Sequence, residues 1–178
     1  MTSKTHLILS AAVAVALAGL AVSAWAQAPS PAVAAVPLGH YDGTWLEIAR
    51  RPMGLTNGCV AGYTRYSPGK TAGEFMVEDG CHDKVPDGRV KTIRGRGELL
   101  DAGGANARLR VHYLFFITWD FQVLYEAPEH DWFISADPKM KNLWIYARKV
   151  PSPEARTIMV KKAAELGYDV AQLEFPAF

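Results

Sequence analysis

Arg108-Leu109-Arg110-Val111-His112-Tyr113 alternates without a break. Successive side chains of an extended chain point to opposite sides, so Leu109, Val111 and Tyr113 share one face while Arg108, Arg110 and His112 share the other. One face suits an apolar interior and one suits water. An antiparallel sheet with a single wet face has this pattern, whereas strands of parallel α/β sheets are covered on both sides and are apolar throughout.

Outward from this stretch, short β-favouring runs recur at intervals of about 10 to 15 residues, the rhythm of an all-β sandwich or barrel. They predict eight strands, at Thr44–Arg50, Val60–Ser67, Glu74–His82, Val90–Leu99, Arg108–Phe115, Phe121–Glu126, Asp131–Ala136 and Asn142–Lys149. Turn formers separate them, among them Ser67-Pro68-Gly69, Pro86-Asp87-Gly88, Gly103-Gly104-Ala105-Asn106 and Asp137-Pro138. One strong helix is predicted. Ser152 caps it, Pro153 fits its first position, Glu154 suits the positive end of its dipole and Gly167 stops it. Ile158, Ala163 and Leu166 offer a stripe that would dock on the outside of the sheet. Gln172 to Phe178 is apolar enough to pack back as a short strand.

Residues 1–26 read as a secretory signal, with Lys4 near the start, an apolar run from Leu7 to Val22, and Ala24 and Ala26 flanking Trp25; cleavage is expected after Ala26. An uncleaved anchor is the alternative, against which stand the Ala-rich composition and marginal length of the run. No cysteine stands at the cleavage point to take a lipid. The expected product is therefore soluble, in the periplasm or outside the cell. Residues 27–37, rich in Ala, Pro and Val, are expected to form a flexible leader, and 38–178 is the size of one domain. Removing Lys4 takes the basic count from 19 to 18, equal to the 18 acidic residues. Such balance gives no electrostatic footprint for nucleic acid or an anionic surface.

The two cysteines, Cys59 and Cys81, form an even pair, and in an exported chain this favours a disulfide. A metal site sharing them with His82 and Asp83 is the alternative, without the close paired spacing that zinc sites use. Other signals lead nowhere. Gly69-Lys70-Thr71 has Thr64 where a phosphate loop needs glycine, Gly95-Arg96-Gly97 lies inside a strand, and Glu129-His130-Asp131 point in different directions. Neither a metal nor a cofactor is expected, and no nucleophile-elbow motif recommends hydrolase chemistry.

The first strand and its approach, Tyr41-Asp42-Gly43-Thr44-Trp45-Leu46-Glu47-Ile48-Ala49-Arg50, resembles the Gly-x-Trp signature of lipocalins, particularly their bacterial and apolipoprotein-D-like branch. Leu143-Trp144-Ile145-Tyr146-Ala147-Arg148 looks like the last barrel strand of that branch, with Pro151 and the helix following as expected. The resemblance implies an eight-stranded antiparallel up-and-down barrel with one C-terminal helix packed outside. It implies that Gly43, Trp45 and Arg148 are structural, the Arg148 guanidinium lying across the Trp45 ring at the closed end. It also implies a carrier of a small hydrophobic ligand, such as a fatty acid or lysophospholipid, rather than an enzyme. One departure stands out: the family's third signature region is here Ala127-Pro128-Glu129-His130, so its hydrogen bonding at the base is not reproduced.

Counting by twos from Trp45 and back from Arg148 puts Glu47, Ala49, Trp144 and Tyr146 inside the barrel, joined by Leu109, Val111 and Tyr113. Such a mix of apolar, aromatic and a few polar groups is the usual lining of a small-molecule site. Glu47 is either internal, bonded to Tyr146 or with a raised pKa, or a wet barrel-end residue paired with Arg50, Arg51 or Arg148. A fatty acid would place its head at the open mouth, near Arg50 or Arg51. Trp119, Trp132, Phe115, Phe116 and Phe133 are more large aromatics than one lumen holds. Packing under loops, loading from a membrane and a homodimer contact are the three readings of that excess, with a monomer equally compatible. A lipid isomerase is the enzyme alternative, needing a free thiol at Cys59 or Cys81, and an interaction module with a self-filled barrel is the third.

Overall fold

The computed structural model describes residues 32–114 and 116–178. Its eight strands are β1 (Gly43–Arg50), β2 (Cys59–Pro68), β3 (Glu74–Asp83), β4 (Val90–Leu99), β5 (Arg108–Tyr113), β6 (Ile117–Glu126), β7 (Trp132–Ala136) and β8 (Leu143–Ala147). Each pairs antiparallel with the next, and β8 closes on β1. Closure leaves no unpaired strand edge. The helix α1 (Pro153–Glu165) follows β8.

Alternation sorts the side chains into two layers. Facing inward are Trp45, Val77, Leu109, Val111, Tyr113, Val123, Phe133, Trp144 and Tyr146. Facing outward, on one side only, Ile48, Ala49, Leu124, Ile134, Leu143, Ile145 and Ala147 meet Met159 and Ala163 of α1, and Tyr168. β8 is therefore buried on both faces, which is why Leu143-Trp144-Ile145-Tyr146-Ala147 carries no charge. Ser152 caps α1 by accepting from the Ala155 N–H at 3.2 Å, and Gly167 ends it at φ +87°. The buried stripe runs through Met159 and Ala163, four apart, with Leu166 half-buried beside them; Ala163 and Leu166 are as expected and Met159 takes the place expected of Ile158. Ile158, some 100° round the helix from Met159, is 62% exposed.

The strand boundaries lie within two residues of the sequence reading except at the start of β6. β6 begins at Ile117 rather than Phe121, because Thr118 and Asp120 sit on the wet face; the Asp120 carboxylate takes both arms of the Arg110 guanidinium at 2.7 and 2.9 Å. The turn into it falls at Leu114 and Phe116, and Phe115 lies outside the described residues. The C-terminal tail returns but makes a single bridge, Arg50 with Glu174, since Pro176 has no N–H to extend a ladder. The signal sequence, its cleavage point and the first part of the leader, residues 1–31, lie outside the described residues. The rest of the leader is tied down: the Ala34 N–H donates to Val123 O, the Val36 N–H to Ala105 O, both at 2.9 Å, and Val36 is buried. Cys59 and Cys81 are joined as a disulfide, so neither is free to bind metal.

Candidate functional site

The barrel is sealed at one end by Trp45, which is fully buried. The Arg148 guanidinium lies 3.5 Å from the centre of its ring, and donates to Asp42 O at 2.7 Å, Thr44 O at 3.1 Å and His40 O at 3.3 Å. The indole N–H donates to the same His40 carbonyl at 3.0 Å. Gly43, at φ +78°, takes a conformation that lets the chain turn into β1 beneath this stack. Phe133 meets the Trp45 ring edge-on at 4.7 Å. The base is bonded despite its unusual third signature: Glu126 holds His40 Nδ1 at 2.7 Å and His130 Nδ1 at 3.1 Å. Burial pushes the His40 pKa down.

Above this floor lies a cavity of about 270 Å³. Met53, Ile93, Ile117, Trp119, Phe121 and Trp144 form its apolar wall, and Glu47, Arg50, Thr64, Asp79, Tyr113 and Tyr146 its polar groups. Four of the residues expected to line the lumen do so: Glu47, Tyr113, Trp144 and Tyr146. Leu109 and Val111 face inward from the early part of β5, where they pack in the inner cluster rather than against the cavity. Ala49 is on the far side of the wall, in the cluster under α1. A bulge between Glu47 and Ala49 shifts the pairing with β8, and Arg50 takes the inward place instead.

That shift resolves the two readings of Glu47. The residue is internal, its side chain 12% exposed, and it is also ion-paired, with Arg50. Burial raises its pKa, while the neighbouring guanidinium works the other way. Arg50 is itself buried; its Nε donates to Glu174 Oε1 at 2.6 Å, and one terminal nitrogen donates to Cys59 O at 2.7 Å and Thr56 O at 3.3 Å. Four of its five N–H groups have acceptors in the protein. Arg51 points away, donating to Lys141 O at 2.8 Å. The head-group site that the sequence suggested at Arg50 or Arg51 is thus occupied by the protein's own acceptors.

Asp79 is the lumen residue that sequence reasoning missed. It accepts from the Thr64 hydroxyl at 2.5 Å and from the Tyr113 hydroxyl, and burial raises its pKa against those two bonds. The signal was present, because Phe75, Val77 and Cys81 are buried and counting by twos between them lands on Asp79. Of the surplus aromatics, Trp119 lines the lumen beside Phe121, Phe133 lies in the floor, Trp132 packs outside against Tyr125, Phe116 is 84% exposed in the β5–β6 turn at the mouth, and Phe115 lies outside the described residues.

A barrel stoppered at its base and hollow above, with aromatic walls and a few inward polar groups, defines a class: a container for a small molecule. The lipocalin-like domain model matches residues 36–177, and the chain belongs to the lipocalin family. It is 26% identical over 150 residues to temperature-induced lipocalin-1 of Arabidopsis thaliana, covering 75% of each chain. Among solved structures it is similar to insecticyanin from the tobacco hornworm Manduca sexta, with a TM-score of 0.61, 19% identity and 84% of each chain covered. Lobster apocrustacyanin A1 gives a TM-score of 0.59 at 13% identity, with 78% of each chain covered. At these identities the two structures speak for the fold.

Proposed function

We propose that the protein is an exported, soluble carrier that holds one small hydrophobic molecule of lipid type in the barrel and does no chemistry on it. The observation that carries this reading is the cavity of about 270 Å³, walled by Trp119, Phe121 and Trp144 above a sealed floor. That size lies just below the usual range of ligand pockets, roughly 300 to 1,000 Å³, which favours a compact or single-chain ligand over a two-chain lipid. The disulfide supports an oxidising compartment, the periplasm or the exterior. It also engages both thiols, removing the nucleophile on which the enzyme alternative depended. The test is solvent extraction and native mass spectrometry of protein purified from its own host, with titration of single-chain hydrophobes against tryptophan fluorescence. A bound hydrophobe and saturation at one equivalent are expected. Empty protein that quenches with none of the hydrophobes would overturn the reading.

The mouth adds a second element. Leu55, Leu114 and Phe116 are exposed on the β1–β2 and β5–β6 connections, which antiparallel order places at the same open end. Apolar exposure at one rim of this kind suits brief contact with a membrane during loading. Replacing Leu114 and Phe116 with serine is expected to slow ligand pick-up from vesicles while leaving affinity for free ligand unchanged. An unchanged transfer rate would count against membrane contact.

A further inference from the structure

The charges inside the cavity are unevenly matched. Two cations line it, Arg50 and Lys91. Arg50 is held by Glu47, Glu174 and two backbone carbonyls, and Lys91 by Asp83 at 2.6 Å. Each cation therefore already has its own carboxylate. Asp79 has none: its bonds come from two neutral hydroxyls, of Thr64 and Tyr113, and among the described residues no cationic side chain pairs with it. A carboxylate has about four acceptor positions. Two of those on Asp79 remain, on a group that faces the cavity.

We propose that the lumen selects a hydrophobic molecule bearing an ammonium group, which donates to the Asp79 carboxylate while its apolar body lies against Trp119, Phe121 and Trp144. This rests on the carrier reading above and narrows its ligand class. Charge favours it, because an ammonium supplies the counter-ion that Asp79 lacks, and removing that carboxylate from water without one is costly. Tyr146 also lines the cavity, and its hydroxyl, 3.4 Å from the Thr64 hydroxyl that bonds Asp79, adds a second acceptor oxygen beside the carboxylate. A free fatty acid is disfavoured by the same account. Its carboxylate would sit among Glu47 and Asp79, with no uncommitted guanidinium or ammonium to receive it, and like charges in one site repel.

The test compares three probes of equal chain length, decylamine, decanol and decanoic acid, titrated near neutral pH against the intact protein and followed by calorimetry and tryptophan fluorescence. Decylamine is expected to bind about tenfold tighter than decanol, and decanoic acid weakest of the three. Asp79→Asn is expected to weaken decylamine about tenfold while leaving decanol within about twofold, which also shows that the variant still folds around its cavity. Decylamine binding no tighter than decanol would overturn the proposal, as would an Asp79→Asn variant that loses both probes equally. In those cases decanol still binds and the carrier reading stands. Failure of all three probes would overturn both.

Discussion

Arg148→Met tests whether the sealed floor depends on a guanidinium. The substitution keeps most of the side chain's apolar stem and removes the charge that lies 3.5 Å from the centre of the Trp45 ring. Two losses add. The cation–π contact is worth roughly 0.5 to 2 kcal/mol, toward the upper part here because the ring is fully buried. Three carbonyls, of His40, Thr44 and Asp42, lose a charged donor. A buried bond of that kind contributes about 1.5 to 3 kcal/mol, but Arg148 is only half buried and the Asp42 bond is exposed, so roughly 2 kcal/mol for the three together is the discounted figure. The sum is about 3 kcal/mol, or a fall in Tm near 10 °C for a domain of this size. Urea unfolding followed by circular dichroism should show the lower midpoint with an unchanged m-value. Arg148→Lys should recover the charge but not the fork that reaches three carbonyls, and fall between the two. Ligand affinity should be unchanged, because the floor lies below the cavity. A loss under about 1 kcal/mol would show that the plug is closed by packing alone, and a Lys variant as stable as the parent would show that charge suffices without the fork.

The disulfide joins residues 22 apart, so Cys59→Ala with Cys81→Ala is expected to lower stability by about 3 kcal/mol, and a reductant should lower the urea midpoint of the parent but not of the variant. Glu47 and Asp79 both have folded pKa values raised by burial. The folded state binds their protons more tightly than the unfolded chain, so their favourable contribution is complete below the ordinary carboxylate range, about pH 4, and is lost as pH rises through the raised values. Scanning calorimetry across that window should find the parent losing Tm relative to a Glu47→Gln, Asp79→Asn double variant, and parallel curves would refute this. Gly80 stands opposite Tyr63, and an added Cβ would come within 2.6 Å of the ring's Cε1. Gly80→Ala should therefore cost about 1 to 3 kcal/mol, most of it recovered in a Tyr63→Ala background; an equal cost in both would place the strain elsewhere.

The parts of this protein that were legible in its sequence are those where the period of two runs unbroken. β5 carries wet and dry residues in strict turn, so an antiparallel sheet with one wet face follows from local pattern, and the two dry faces of β8 mark the helix-covered side; closure into a ring comes from the resemblance of the first and last strands. The pattern fails where the backbone slips. Opposite β8, Glu47 faces Tyr146 and Ala49 faces Ile145, leaving Ile48 as the extra residue; opposite β7, Val123 faces Ser135 and Tyr125 faces Ile134, leaving Leu124. Both extra residues enter the cluster under α1. Nothing in the residues of β1 announces its slip, because Ile-Ala reads as well out of phase as in. Its consequence is chemical: it turns Arg50 into the barrel, where a guanidinium needs acceptors, and they come from Glu47 three residues before and Glu174 on a tail 124 residues later. A partner so distant lies beyond any local count. The bulge thus commits Arg50 to the protein's own acceptors, and with Lys91 held by Asp83, Asp79, placed by ordinary alternation, is the lumen carboxylate that no cationic side chain of the described residues pairs with.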